Sequence, residues 1–345
     1  MSLKIAMLGP ATLVGEKLLE LLEASSIEVD ELALFEPEEQ AGRSLMFRGH
    51  AHRTRALEEL DLLWPQLILV CDADLPPGLK EELGRAAARV MDLYPQGYES
   101  DQVFLTIPDL NWDELASLDP DRIIGIQNSA TIAAALALAP LHRSCQILKA
   151  NIMVLSPVSA AGQAGIEALA SETARLLNGR EIETGHFGQQ IAFNLIPQAG
   201  ALQENGYTDI EAAVLGELPL ILGDEGLELE VSAVQVPVFY GDMVVVQAET
   251  RQALDLAAIQ ADMDRAPGLR MDPPGRRVAS LAKDAIGQSQ VVVTRLRPGA
   301  EGGAGFALHA MSDDLGRGSA LTALEAVKRL AEHGQPSRTE GRLDR

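Results

Sequence analysis

Apolar and polar positions follow two different patterns along this chain. Over roughly the first third, short, mainly apolar runs at residues 3–8, 31–35, 67–70, 89–93 and 122–125 are separated by longer stretches. In those stretches apolar residues recur at helical spacing, as Leu18, Leu19 and Leu22 do between residues 15 and 23, and a second helix is expected over 77–88. Mainly apolar strands alternating with helices predict a parallel, doubly wound α/β sheet, with its ligand crevice at the carboxyl ends of the strands. Beyond an alanine-rich helix at 131–140 the strands lengthen, and several alternate: 147–155, 210–215, 227–236, 243–248 and 290–296, with helices at 160–177 and 254–263. This second pattern predicts an α+β domain on a mostly antiparallel sheet that exposes one face or covers it with a subunit. A last apolar-spaced helix covers 315–330, and the polar residues 334–345 read as a disordered tail.

Chemistry enters at the strand ends. The first strand runs into Gly9, Thr12 and Gly15, the strand–turn–helix opening of a dinucleotide-binding unit, with threonine at the middle position where glycine lets a backbone approach a pyrophosphate. Glu36 ends the second strand at the distance where an acid holds the ribose hydroxyls of NAD, and Glu38 and Glu39 beside it disfavour the extra phosphate of NADP. A solvated acidic loop accounts for the same residues. Cys71, between the third strand and Asp72 and Asp74, is a candidate nucleophile whose acidic neighbours raise its pKa. The run ending in Asn128-Ser129-Ala130-Thr131 places a small hydroxyl at a helix start, where free backbone N–H groups stabilise an anion. Ser129 is therefore read either as a nucleophile or as the helix N-cap.

Composition narrows the field of partners. Fifty acids against 28 basic residues give a net charge of −22, which argues against nucleic acid and anionic membranes by repulsion. Two cysteines, Cys71 and Cys145, and six scattered histidines support neither a disulfide framework nor a metal site; His50 and His52 stand together without acidic or thiol company. No apolar run approaches the ~20 residues of a membrane span, and the N-terminus lacks a signal-peptide pattern, so the expectation is a cytoplasmic location with no metal and no membrane.

Three phrases then acquire weight from their order and spacing. Residues 137–142 end in Pro140-Leu141-His142, residues 191–198 read Ile-Ala-Phe-Asn-Leu-Ile-Pro-Gln, and residues 312–321 read Ser-Asp-Asp-Leu-Gly-Arg-Gly-Ser-Ala-Leu. Together they resemble the aspartate-semialdehyde dehydrogenase family over roughly residues 3–332. The resemblance implies a Rossmann-like domain over 1–131 completed by the C-terminal helix at 314–332, and a substrate and dimerisation domain over 132–313. It also implies NAD or NADP as cofactor, a homodimer formed through the second domain, and a last helix packed back on the first. The family's chemistry uses a cysteine thiolate to attack an aldehyde, a histidine to move the proton, a nicotinamide to accept hydride and phosphate to release the acyl group.

At each of these positions the chain departs from the family's pattern. The family motif Asn-Pro-Asn-Cys-Ser-Thr places Asn128 on the second asparagine and Ser129 on the cysteine; its Val-Pro-Val-x-x-Gly-His phrase places Asp242 on the histidine. The arginine that grips the substrate carboxylate falls on Gln235, the phosphate-binding arginine on Tyr98, the lysine of Glu-Glu-x-Lys on Ala213, and the arginine for the NADP phosphate on Glu39. Serine has no comparable ionised fraction at neutral pH, aspartate with a reference pKa near 4 is a feeble base, and an amide does not replace a guanidinium clamp. The expectation is a non-catalytic paralogue with a binding, scaffolding or regulatory role, paired with itself or with a true dehydrogenase. The alternatives are an active NAD(P)-dependent oxidoreductase on aspartate semialdehyde or a related aldehyde or acyl phosphate, using Ser129 or Cys71 with Asp242, and a nucleotide sensor without chemistry.

Overall fold

The structure is a computed structural model that describes residues 2–119, 121–253, 255–272, 278–299 and 304–332; the polar tail expected at 334–345 lies outside them. The chain divides into two compact units, one of residues up to Gln127 together with the segment from Ser319, the other from Asn128 to Gly318.

In the first unit β1 (Leu3–Leu8) leads through Gly9 into α1 (Leu13–Ala24), followed by β2 (Val29–Glu36). A small hairpin of β3 (Ser44–Phe47) and β4 (His50–Arg53) comes next, then β5 (Arg55–Ala56), β6 (Leu67–Val70), α2 (Pro77–Gly84), β7 (Arg89–Asp92), β8 (Val103–Leu105), α3 (Pro108–Ala116) and β9 (Ile123–Gly125). Apart from the hairpin, the strands form one sheet in the order β5-β2-β1-β6-β7-β9-β8, parallel at every pairing. Residues 5–8 and 67–70 are buried throughout, as a sheet covered on both faces requires. The strand order reverses between β1 and β6, and in such sheets that switch point is where the crevice opens. α2 stops at Gly84 rather than reaching residue 88, because the buried Ala86 and Ala88 already belong to the extended approach to β7.

The second unit carries α4 (Ser129–Cys145), β10 (Ile147–Ser156), α5 (Gly162–Leu177), α6 (Asp209–Leu222), β11 (Glu228–Gln235), β12 (Asp242–Thr250), α7 (Leu256–Arg265), β13 (Leu269–Met271), β14 (Val291–Pro298) and β15 (Gly305–Ser312). Its sheet has the order β11-β10-β12-β15-β14-β13, with three antiparallel pairings in the middle and one parallel pairing at each edge. α4 packs on β10, β12, β14 and β15. Burial alternates along β10 and β12, so the opposite face stays open and presents Leu148 and Met153, 40% and 46% exposed.

Residues 210–215, expected as a strand, lie in α6. Thr208 Oγ1 accepts from Glu211 N, and the Glu211 carboxylate accepts from Thr208 N, which closes a capping box. The helical spacing of buried Val214, Glu217, Leu218 and Ile221 then outweighs the β-like look of a short apolar run. β15 had no counterpart among the expected strands; it is buried at nearly every position, so it shows no alternation by which to recognise it. α8 (Leu321–Glu332) follows the wide turn Gly316–Ala320 and packs on α1 and α3. There Arg329 donates to the Pro108 carbonyl at 2.6 Å and lies over the Trp112 ring. No helix among the described residues is long and apolar enough to cross a membrane.

Candidate functional site

The start of α4 holds the first group of residues. Its cap is Asn128, still extended at φ −54° and ψ 142°, whose Oδ1 accepts from Ala130 N at 2.9 Å. Ser129 is therefore not the N-cap: it is the first helical residue, because the asparagine before it already reaches the free backbone N–H. The Ser129 hydroxyl oxygen is buried and has no hydrogen-bond partner among the described residues. Gly318 lies close against it, where an added Cβ would stand 2.7 Å from Ser129 Cβ and 2.9 Å from its Oγ.

Glu217, on α6, sits beneath this helix start. Its Oε2 accepts from the Asn128 backbone N–H at 3.1 Å and from Thr131 Oγ1 at 2.6 Å. Burial pushes its pKa up to about 7, with the Thr131 and Asn128 hydrogen bonds holding it down. Sequence reasoning missed Glu217, although a carboxylate on the apolar stripe of a helix was its signal.

Gln235 and Asp242, the positions expected to match the family's arginine and base, are buried as well. Gln235 is 2% exposed and donates from Nε2 to the Ser156 carbonyl at 2.9 Å, while its own N–H and C=O pair with Ile196. Asp242 opens β12; burial, and then the charge of Asp314, push its carboxyl well above the usual range. Asp314 is also raised, by burial and by Asp313, although its Oδ2 accepts from Ser159 Oγ at 2.5 Å and its Oδ1 from Gly241 N at 2.6 Å. Burial and the Asp314 charge thus both favour the neutral form of Asp242 over the ionised one. The structure brings Asp242 to Asp314, and no hydrogen bond joins either of them to Ser129 among the described residues.

In the first unit the glycine turn is filled by its own neighbours. Thr12 caps α1: its Oγ1 accepts from Gly15 N at 3.0 Å and lies 2.9 Å from the Gly9 carbonyl and 2.8 Å from that of Cys71. Glu36, only 1% exposed, turns back so that Oε1 accepts from Ala11 N at 2.7 Å. Its pKa is raised, chiefly by burial and further by Asp72. A dinucleotide pyrophosphate does not suit this arrangement, because a turn N–H it would use is held by a carboxylate and Glu36, Asp72 and Asp92 all bear on the same strand end. Cys71 is fully buried, and burial followed by the charges of Asp92, Asp72 and Glu36 pushes its thiol well up, the opposite of an activated nucleophile.

Tyr98, expected at the family's phosphate-binding position, donates its hydroxyl to Asp92 Oδ2 at 2.9 Å. Lys80 pairs with the same oxygen at 3.3 Å and donates to the Tyr94 and Gln96 carbonyls. Burial lifts Asp92 to about 6 against these partners. Lys80 is thus already spent on internal acceptors. Tyr98→Phe is expected to destabilise the chain by about 1–2 kcal/mol, since it leaves a buried carboxylate oxygen with one partner fewer, and to raise the Asp92 pKa further; urea unfolding and carbonyl-region NMR titration measure the two effects. Ala213 lies on α6 and Glu39 in the exposed turn Glu38–Gln40. Among the described residues no three His, Cys, Asp or Glu side chains are placed to hold a metal ion.

A family model described as semialdehyde dehydrogenase, dimerisation domain, matches residues 138–317. The chain is 32% identical to aspartate-semialdehyde dehydrogenase 2 of Vibrio cholerae, over 94% of the chain and 97% of that protein. It is 29% identical to the USG-1 protein homolog of Azotobacter vinelandii, over 97% and 99%. The crystal structure of aspartate semialdehyde dehydrogenase II from Vibrio cholerae complexed with ASA superposes with a TM-score of 0.90 at 31% identity, covering 96% of this chain and 99% of that one.

Proposed function

The chain belongs to the aspartate-semialdehyde dehydrogenase family, and from that premise we propose that it is a non-catalytic member with a binding, scaffolding or regulatory role. The observation that carries this reading is the Ser129 hydroxyl, buried at the helix start with no hydrogen-bond partner among the described residues. An alcohol becomes a nucleophile near neutral pH only when a base takes its proton. Asp242, which stands where the family's histidine would, is pushed towards its neutral form by burial and by Asp314. The neutral, internally bonded Gln235 and Tyr98 support the same conclusion for the two anion sites. The filled glycine turn supports weak or absent NAD and NADP binding, which distinguishes a scaffold from a nucleotide sensor; calorimetry with each dinucleotide measures it.

Self-association is the retained function. The matched dimerisation domain and the open sheet face around Leu148 and Met153 support a homodimer, and a mixed dimer with an active relative follows from the same surface. Co-purification that yields only homodimers from cells holding both chains rules out the mixed species. For the central claim, the chain is incubated with L-aspartate semialdehyde, phosphate and either NAD or NADP while reduced nicotinamide is followed. No reduction above the protein-free blank is expected. Turnover by the wild-type chain that Ser129→Ala abolishes would overturn the reading and establish the oxidoreductase alternative.

A further inference from the structure

Away from the strand ends, the first unit carries a second feature. Residues 40–57 hold four arginines and two histidines and no carboxylate, in a chain whose net charge is −22. This stretch forms the β3–β4 hairpin, which reverses at Arg48 and Gly49 with φ of 50° and 77°, and then the edge strand β5. Together with the first half of β2 and the turns that follow β2 and β5, it encloses a groove of about 650 Å³, within the range of small-molecule sites. The groove lies beyond the outer edge of the sheet, against Leu32 and Ala33 of β2, and does not include Gly9, Glu36 or Cys71.

Its charged lining is not compensated from within. Arg53 and Arg55, two apart along extended chain, face the same way, and Thr54 between them is buried and tied to Arg43 and Gly42 by backbone and hydroxyl hydrogen bonds. Arg53 reaches over Gly42, with Nη2 3.4 Å from where a Cβ would stand. Neither guanidinium has an ion pair or a side-chain hydrogen bond among the described residues. Arg48, by contrast, is pinned to the Ile27 and Ser25 carbonyls. Two carboxylates also line the groove, Glu38 from the turn after β2 and Glu59 from the turn after β5, and no ion pair joins them to the arginines. Two cations on one extended stretch and two anions on the turns beside it, without ion pairs between them around one cleft, match a ligand that carries both charges.

We propose that this groove binds a zwitterionic small molecule of the α-amino-acid class, its carboxylate against Arg53 and Arg55 and its ammonium toward Glu38 and Glu59. Guanidinium pairs hold carboxylates with two parallel hydrogen bonds, which fixes the ligand's direction in the groove. The site is independent of the α4 residues, so it stands or falls separately from the reading of the family site.

The test is saturation-transfer NMR on the full chain with a mixture of proteinogenic L-α-amino acids at millimolar concentration, then with each amino acid that responds. At least one is expected to show transfer, and its N-acetyl derivative and its C-terminal amide, each lacking one charge, are expected to show none. Arg53→Ala with Arg55→Ala is expected to weaken binding at least about tenfold, as is Glu38→Gln with Glu59→Gln, while Arg85→Ala, at the exposed residue that follows α2, leaves it unchanged. Thermal melts of each variant check that the unit stays folded. Absence of transfer from every amino acid overturns the proposal. So does undiminished binding of the amide or the N-acetyl derivative, or binding that survives the paired arginine or paired glutamate substitutions in folded protein.

Discussion

Glu217→Gln is expected to stabilise the chain by roughly 2 kcal/mol at about pH 8 and to leave it little changed near pH 4. The Glu217 carboxyl titrates at about 7 in the folded chain against a reference of 4.5, and the difference of 2.5 units corresponds to roughly 3 kcal/mol. Because the folded pKa is the higher one, the unfolded chain ionises first as pH rises. The stability held in the neutral acid is therefore complete below about 4.5, falls as pH climbs towards about 7, and stays at its reduced level above. Glutamine keeps an acceptor oxygen for the Asn128 N–H and the Thr131 hydroxyl and never ionises, but its amide N–H₂ gives back part of the gain. Asp92, lifted to about 6, loses stability over the same range, and the −22 net charge adds repulsion as pH rises, but both contributions cancel in the difference between variant and wild type. Urea unfolding at the two pH values measures that difference. An equal gap at both would mean that folding does not shift the Glu217 pKa.

Gly15→Ala is expected to destabilise the first unit by about 3 kcal/mol, at the upper end of the cost of overpacking. A Cβ at this position would lie 2.1 Å from the Gly9 carbonyl oxygen and 2.9 Å from Pro10 Cα. Both are backbone atoms of the turn, so no side-chain rotation relieves the collision, and Thr12 Oγ1 at 2.9 Å is held by its own hydrogen bonds. Moving α1 away instead would pull buried Leu18, Leu19 and Leu22 off the sheet. Gly84→Ala, where nothing lies within 4 Å, serves as the matched control and is expected to be neutral within about 0.5 kcal/mol. Denaturant midpoints for the two variants decide the matter, and equal midpoints would show that the turn yields more readily than its packing implies.

These two residues also show where information about this chain resides. Gly15 could be singled out from the sequence because its neighbours in space, Gly9 and Thr12, are its neighbours along the chain, and a strand–turn–helix is a local object. Glu217 could not, because the groups that bind it lie 86 and 89 residues away. The same contrast separates residues 67–70, legible as a strand from their unbroken apolar run, from residues 210–215, where a capping box set at Thr208 decided for helix.

By itself the sequence determined the alternation that builds the parallel sheet, and the residue types, Ser129, Asp242, Gln235 and Tyr98, on which the proposed loss of the family's chemistry rests. Those are statements about residue type and spacing. Only the tertiary structure decided burial and pairing: that Asn128 rather than Ser129 caps α4, that Ser129 Oγ lies buried against Gly318 without a hydrogen-bond partner among the described residues, and that burial and Asp314 push the Asp242 pKa up. It also turned Glu36 onto the glycine turn that the sequence offered to a dinucleotide. Protonation and pairing depend on burial and on charges brought together through space, and neither is a property of any one segment of the chain.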